Sequence, residues 1–258
     1  MKIVVAYKWA ANPQDAEVGP DGIVDWSRAK GAVSEYDPVA FELARALADT
    51  CGGEAVGVTV GAAAIDSPLA RKAALSRGLD SLTLVADDAL LGADGTRLAA
   101  VLVGAVRAIG DVDVVVAGES SVDVGERQVA MTLAAQLGWP GFSSVRAVAL
   151  DGTSLRVERE VAGGVEMLAV DGPVVLAATA DAALPRVPGM KEILGAAKKP
   201  VRLLDLAALD VPEPLASLAP VSTARPDTGN RQGVMLDAAD LPAAAAQLTA
   251  ALRQSGVL

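Results

Sequence analysis

The residues best placed to do chemistry lie in one stretch, Val116-Ala117-Gly118-Glu119-Ser120-Ser121-Val122-Asp123-Val124-Gly125-Glu126-Arg127-Gln128. An apolar run ends there, a polar glycine-containing loop follows, and a segment of helical period begins. Backbone N–H groups at such a helix start point toward the strand end and favour an anion such as a phosphate. An ordinary strand-to-helix loop capped by Ser or Asp has the same spacing, so the pattern alone leaves both readings open. Two further loops, Tyr7-Lys8-Trp9-Ala10-Ala11-Asn12-Pro13 and Gly61-Ala62-Ala63, leave apolar runs in the same way. Open α/β sheets bind ligands at such strand ends.

Composition removes much other chemistry. The 258 residues include no histidine and one cysteine, Cys51. Without histidine there is no Ser-His-Asp triad and no imidazole metal site. A single cysteine builds no disulfide framework, iron–sulfur cluster or zinc site, and no metal is expected. Ser120 and Ser121 lack the frame of a nucleophile elbow, which argues against acyl transfer. No G-x-G-x-x-G follows the first apolar run, and no G-x-x-x-x-G-K-[ST] occurs anywhere, so neither a dinucleotide dehydrogenase nor a P-loop enzyme is supported. Asp87-Asp88 reads as a solvated loop, Trp9, Trp26 and Trp139 as packing residues, and Lys198-Lys199 as a solvated pair unless it meets an acidic partner or phosphate.

A net charge of −10 repels phosphate backbones, and no basic stripe offsets it, so no nucleic-acid partner is expected. Charges or Gly/Pro interrupt every apolar run before the roughly 20 residues that span a bilayer. The stretch Met1–Lys8 is short and closed by lysine, which reads as a first strand rather than a signal segment. These features point to a cytoplasmic protein with no membrane span.

The elements that must position the loops follow from periodicity. Apolar runs at 3–7, 55–60, 81–85 and 113–117 read as buried parallel strands. Helical periods at 38–49, 67–77, 96–109 and 127–137 separate them, with Pro38 and Pro68 near two helix starts and Gly78 and Gly110 after two helix ends. This alternation predicts a doubly wound α/β sheet. Residues 145–150, 155–160, 165–170 and 174–178, joined by Asp151-Gly152-Thr153-Ser154, Gly163-Gly164 and Gly172-Pro173, read as an added antiparallel meander. Residues 184–202 read as a loop with a basic end, and 210–232 as an extended tail that is either a linker or an arm around a partner. A terminal helix is expected over 241–253.

Six blocks, in order, resemble the β subunit of electron transfer flavoprotein, with this chain a divergent member. They are Ile3-Val4-Val5-Ala6-Tyr7-Lys8; Ser34-Glu35-Tyr36-Asp37-Pro38-Val39-Ala40-Phe41-Glu42; Arg71 to Asp80; Gly118 through Gln128 to Leu137-Gly138-Trp139-Pro140; Val157-Glu158-Arg159-Glu160-Val161-Ala162-Gly163-Gly164; and Met190 to Pro200. The resemblance implies a mostly parallel Rossmann-like sheet of the adenine-nucleotide α-hydrolase kind, with the antiparallel meander and a C-terminal arm. It divides the chain into a nucleotide-binding unit, 1–205, and an arm with terminal helix, 206–258, that packs on a partner subunit.

The same resemblance implies an electron carrier rather than an enzyme, with no catalytic residues of its own. Its partner is an FAD-bearing α subunit, whose FAD site it completes. Its own nucleotide is a structural AMP, replaced by FAD in electron-bifurcating relatives. Carried over, Ala6, Ser34, Tyr36, Asp37 and Val60 frame the nucleotide. Gly118, Ser120, Ser121, Asp123, Gly125, Glu126, Arg127, Gln128, Val129, Ala130 and Met131 wrap its phosphate. Arg159 and Glu160 approach the FAD domain. Arg186, Met190, Lys191, Ile193 and Leu194 dock a dehydrogenase, from which electrons pass to a quinone-linked acceptor. The family's Q-T-G is Gln128-Val129-Ala130 in this chain, which removes a hydroxyl donor and a glycine from the loop. The other readings are a stand-alone adenine-nucleotide sensor and an ATP-using transferase or ligase; for the latter no phosphate-activating motif is visible.

Overall fold

Apolar runs that alternate with helices in sequence are buried on both faces once the helices fold back. The computed structural model describes residues 1–213, 218–219, 221–222, 224, 229 and 233–258. Its first half comprises β1 (Lys2–Ala6), β2 (Trp9–Ala11), β3 (Glu17–Val18), β4 (Val24–Asp25), β5 (Gly31–Val33) and α1 (Pro38–Cys51). Then come β6 (Glu54–Gly61), α2 (Pro68–Leu75), β7 (Ser81–Ala86), α3 (Gly95–Ile109) and β8 (Val114–Gly118). The second half adds α4 (Val129–Leu137), β9 (Gly141–Asp151), β10 (Ser154–Val161), β11 (Gly164–Val170) and β12 (Val174–Ala178). It closes with α5 (Met190–Ala196), β13 (Val201–Leu203) and α6 (Leu241–Gln254).

One nine-stranded sheet runs β11-β10-β9-β12-β8-β1-β6-β7-β13. The seven strands from β9 to β13 in that order are parallel, whereas β10 and β11 run antiparallel at one end. This is a doubly wound, Rossmann-like α/β sheet. Alternate residues of each strand face opposite layers. Ile3 and Val5 pack with Phe41, Leu43 and Leu47 of α1, while Val4 packs with Val101, Leu102, Val106 and Leu133 of α3 and α4. Full burial of each such side chain contributes about 1.5–3 kcal/mol.

Local chemistry sets the helix ends. Pro38 and Pro68 occupy first-turn positions, and Ser67 Oγ accepts from Ala70 N at 3.2 Å. Gly52 ends α1 at φ +63, with its N–H on Ala48 O.

Three regions differ from the sequence expectation. Strand β12 is not part of the meander: it lies inside the parallel sheet between β8 and β9. Its Gly-Pro entry resembles a hairpin turn, but the run Val174–Ala178, buried throughout, satisfies an interior position. Residues 184–202 are not all loop, since they contain α5 and β13, which pairs with β7. Lys199 is turned inward, its Nζ donating to Leu75 O at 3.0 Å and to Leu79 O beyond the end of α2. Residues 9–33 form two small antiparallel pairs, β2–β5 and β3–β4, which no periodicity announced.

Leu206, Leu209 and Val211 still pack against the α3 layer. The expected tail at 210–232 falls largely outside the described residues. Helix α6 has no buried residue. Among the described residues, no helix is long and apolar enough to cross a membrane.

Candidate nucleotide site

The sheet order reverses at β1, whose neighbours β8 and β6 lead to opposite edges. The crevice beyond the carboxyl ends of these strands is therefore the topological switch point, where ligands enter open α/β sheets. A cleft open to solvent lies there. Its inner wall is apolar, from Ala6, Val60, Leu98, Leu102, Ala117 and Leu133. Its rim is the polar loop from Gly118 to the start of α4.

A buried carboxylate fixes that geometry. Asp37 precedes α1 but does not cap it through its side chain. Instead Oδ2 accepts from Lys8 N at 2.8 Å and Oδ1 from Gly118 N at 3.3 Å, tying the ends of β1 and β8. Burial pushes its carboxyl up to about 7, against the two backbone N–H bonds and the Lys8 charge, with Asp123 adding to the rise. A Cβ at position 118 would stand 2.4 Å from Tyr36 O and 2.8 Å from Asp37 Oδ1, so glycine is required for this approach. Beside it, burial and the Asp37 charge raise the Tyr7 phenol, with the Arg77 charge opposing them.

The loop is held from below and from the side. Ser34 is buried and its Oγ accepts from Val122 N at 3.2 Å. Lys8 Nζ meets Asp123 at 2.7 and 2.8 Å. Burial works to raise the Asp123 carboxyl, but the Lys8 bond and charge, Ser121 and the Val124 N–H hold it below its ordinary value. Gly125 (φ +72) and Arg127 (φ +55) both take the left-handed conformation, which a non-glycine residue adopts only at a cost. Helix α4 then begins at Gln128 with no side-chain cap, so its first N–H groups remain available beside the cleft.

The sequence-derived residues fall into three groups. Ala6, Asp37, Val60, Gly118, Ser120, Ser121 and the run Glu126, Arg127, Gln128, Val129 and Ala130 line the cleft. Tyr36, Asp123 and Gly125 line an adjoining depression that shares Ser120, Ser121 and Arg127 with it. Ser34 supports the loop from beneath, and Met131 turns away, its Sδ packing 3.4 Å from the Cβ position of Gly141. Sequence reasoning missed Leu98, Leu102 and Leu133 as lining residues, and it held Ala117 and Glu119 only as part of the loop stretch. The loop after the first strand already contained Tyr7 and Lys8. Leu98 and Leu102 carry only an i, i+4 signal common to any helix face.

The remaining residues occupy other surfaces. Arg159 Nε meets Glu166 Oε2 at 2.6 Å across β10 and β11, and its guanidinium lies 5.6 Å from the Phe142 ring centre. Glu160 is exposed opposite Val165. Arg186 grips Glu42 of α1 with Nε and Nη2, each at 2.7 Å, and its backbone N donates to the same carboxylate at 3.2 Å. That bond holds the Glu42 carboxyl below its ordinary value. Met190, Lys191 and Leu194 are exposed on α5, with Ile193 half-buried between them. Among the described residues, no group of three or more His, Cys, Asp or Glu is placed to hold a metal ion.

The residues present leave room for the nucleotide that the resemblance implies. The apolar wall can take a planar base, while the Ser120 hydroxyl and the uncapped start of α4 offer donors for one phosphate. The family model for the electron transfer flavoprotein domain matches residues 21–209. That span contains most of the sheet, the loop from Gly118 to Gln128, the meander and the segment held by Arg186. The chain belongs to the electron transfer flavoprotein domain family.

Proposed function

We propose that this chain is the β-type subunit of a heterodimeric electron transfer flavoprotein. It holds AMP as a structural ligand in the cleft and completes the FAD site of an α subunit. FAD, when bound between the subunits, supplies the redox chemistry; this chain supplies binding and orientation and acts as a carrier subunit rather than an enzyme. The observation that carries the reading is the cleft at the switch point, where an apolar wall meets an uncapped helix start and the Ser120 hydroxyl.

The other surfaces fit the same assignment. On β10, the middle strand of the meander, Arg159 and Glu160 are the pair that approaches the FAD domain. Leu184 and Val187 are 92% and 91% exposed, and with Met190 and Leu194 they form an apolar segment that docks a dehydrogenase. Electrons then pass to a quinone-linked acceptor. The arm from 206 to 258, ending in the exposed α6, packs on the α subunit, and the complex works in the cytoplasm.

Mass spectrometry of nucleotide released from the purified complex tests the assignment. One FAD and one AMP per heterodimer is the expected result. Two FAD would replace it with an electron-bifurcating subunit, and a lone chain that binds adenine nucleotide without a flavoprotein partner would replace it with a sensor module.

A further inference from the structure

The charges around the cleft do not balance in favour of an anion. Its cations are Lys8 and Arg127, and both are already engaged. Lys8 is bonded to Asp123, and Arg127 Nη2 lies 3.8 Å from Glu119 Oε1. Two further carboxylates stand at the rim and in the adjoining depression. Glu126 Oε2 accepts from Gln128 Nε2 at 2.9 Å, and Glu35 is exposed. Neither has a cation partner among the described contacts. Donors for one phosphate remain at the α4 start and on Ser120, since the Ser121 hydroxyl is turned to Asp123. A second phosphate would be left with the depression, which Glu35 and Asp123 line.

We infer that the cleft selects its nucleotide by charge, with Glu35 and Glu126 as the specificity-determining residues that admit a nucleoside monophosphate and reject nucleotides carrying a pyrophosphate. This rests on the nucleotide-site reading above and adds to it the basis of choice. Like charges brought together at the exposed rim repel, and the repulsion weakens as salt screens it. Rejection by shape alone would show neither dependence.

The test uses the purified full-length protein with any co-purifying subunit, freed of bound nucleotide on charcoal and kept in EDTA so that no divalent ion offsets the carboxylates. Equilibrium dialysis compares adenosine, AMP and ADP at low and high ionic strength. AMP is expected to bind at least about tenfold more tightly than ADP at low salt, with the ratio shrinking as salt rises. Glu126→Gln and the double variant Glu35→Gln/Glu126→Gln bring the ratio toward one, while Glu126→Asp retains it. A ratio that ignores both salt and charge removal overturns selection by charge. Binding of ADP as tight as that of AMP also overturns it, and leaves the nucleotide site standing. Failure of all three ligands to bind removes the site itself.

Discussion

Helices α3 and α4 start beside one another at the same cleft and are finished differently. A Cβ on Gly95, the first residue of α3, would lie 3.1 Å from Gln128 Nε2 and 3.3 Å from Val129 Cγ2. The α3 start is closed within the chain: Asp94 Oδ1 accepts from Arg97 N at 2.8 Å, and its other oxygen accepts from Leu218 N. Gln128, at the α4 start, already has helical backbone angles, and its side chain bonds to Glu126 rather than to the helix. A missing cap costs about 1 kcal/mol. The contrast teaches that α4, unlike α3, forgoes that stabilisation at its start beside the serine-bearing loop, which leaves its N–H groups to a ligand.

Substitutions at three positions break or sharpen this contrast. The largest effect is expected at Asp37, whose carboxylate ties the wall on which both starts rest. Asp37→Ala leaves Lys8 N and Gly118 N without a buried acceptor and lowers stability by about 1–3 kcal/mol in urea unfolding. The pH dependence has a definite sign. The folded chain holds the Asp37 proton up to about 7, whereas the unfolded chain releases it near its ordinary value of 3.8. The stabilisation from this group is therefore complete below about pH 4 and is lost as pH rises to about 7. Asp37→Asn removes that slope; parallel stability profiles for the two proteins over this range would show that burial of the carboxyl has no effect.

The intermediate effect belongs to Asp94→Ala, expected to cost about 1 kcal/mol through loss of the α3 cap. The smallest belongs to Gln128→Ala, expected to change ligand-free stability by no more than about 0.5 kcal/mol. Thermal or urea unfolding of the pair decides the matter. Equal losses at positions 94 and 128 would make the two helix starts equivalent and sink the contrast.

Much of the central sheet was legible because its signals are local. Runs such as Val114–Gly118, proline at the first turn of α1 and glycine after its end each carry their meaning within a few residues. The loop from Gly118 to Gln128 was legible as a strand end followed by a helix start. What escaped depends on distance or brevity. The place of β12 between β8 and β9 is a property of the whole sheet, and its Gly-Pro entry reads locally as one more hairpin turn. The seven residues of α5 have little period of their own; Ala196 is buried, and Lys199 follows to meet α2. The staple at Asp37 joins positions separated by 29 and 81 residues, a relation no spacing rule encodes.

The segment that carries Leu184, Val187, Met190 and Leu194 is moored at both ends, by the fork of Arg186 on Glu42 and by the Lys199 ammonium beyond α2. It behaves as a bridge rather than a tail. Backbone order that a free loop would surrender on association is already lost when the chain folds. A partner closing over those apolar side chains thus meets a surface with little left to organise, and the complex can form and separate quickly without rebuilding either mooring.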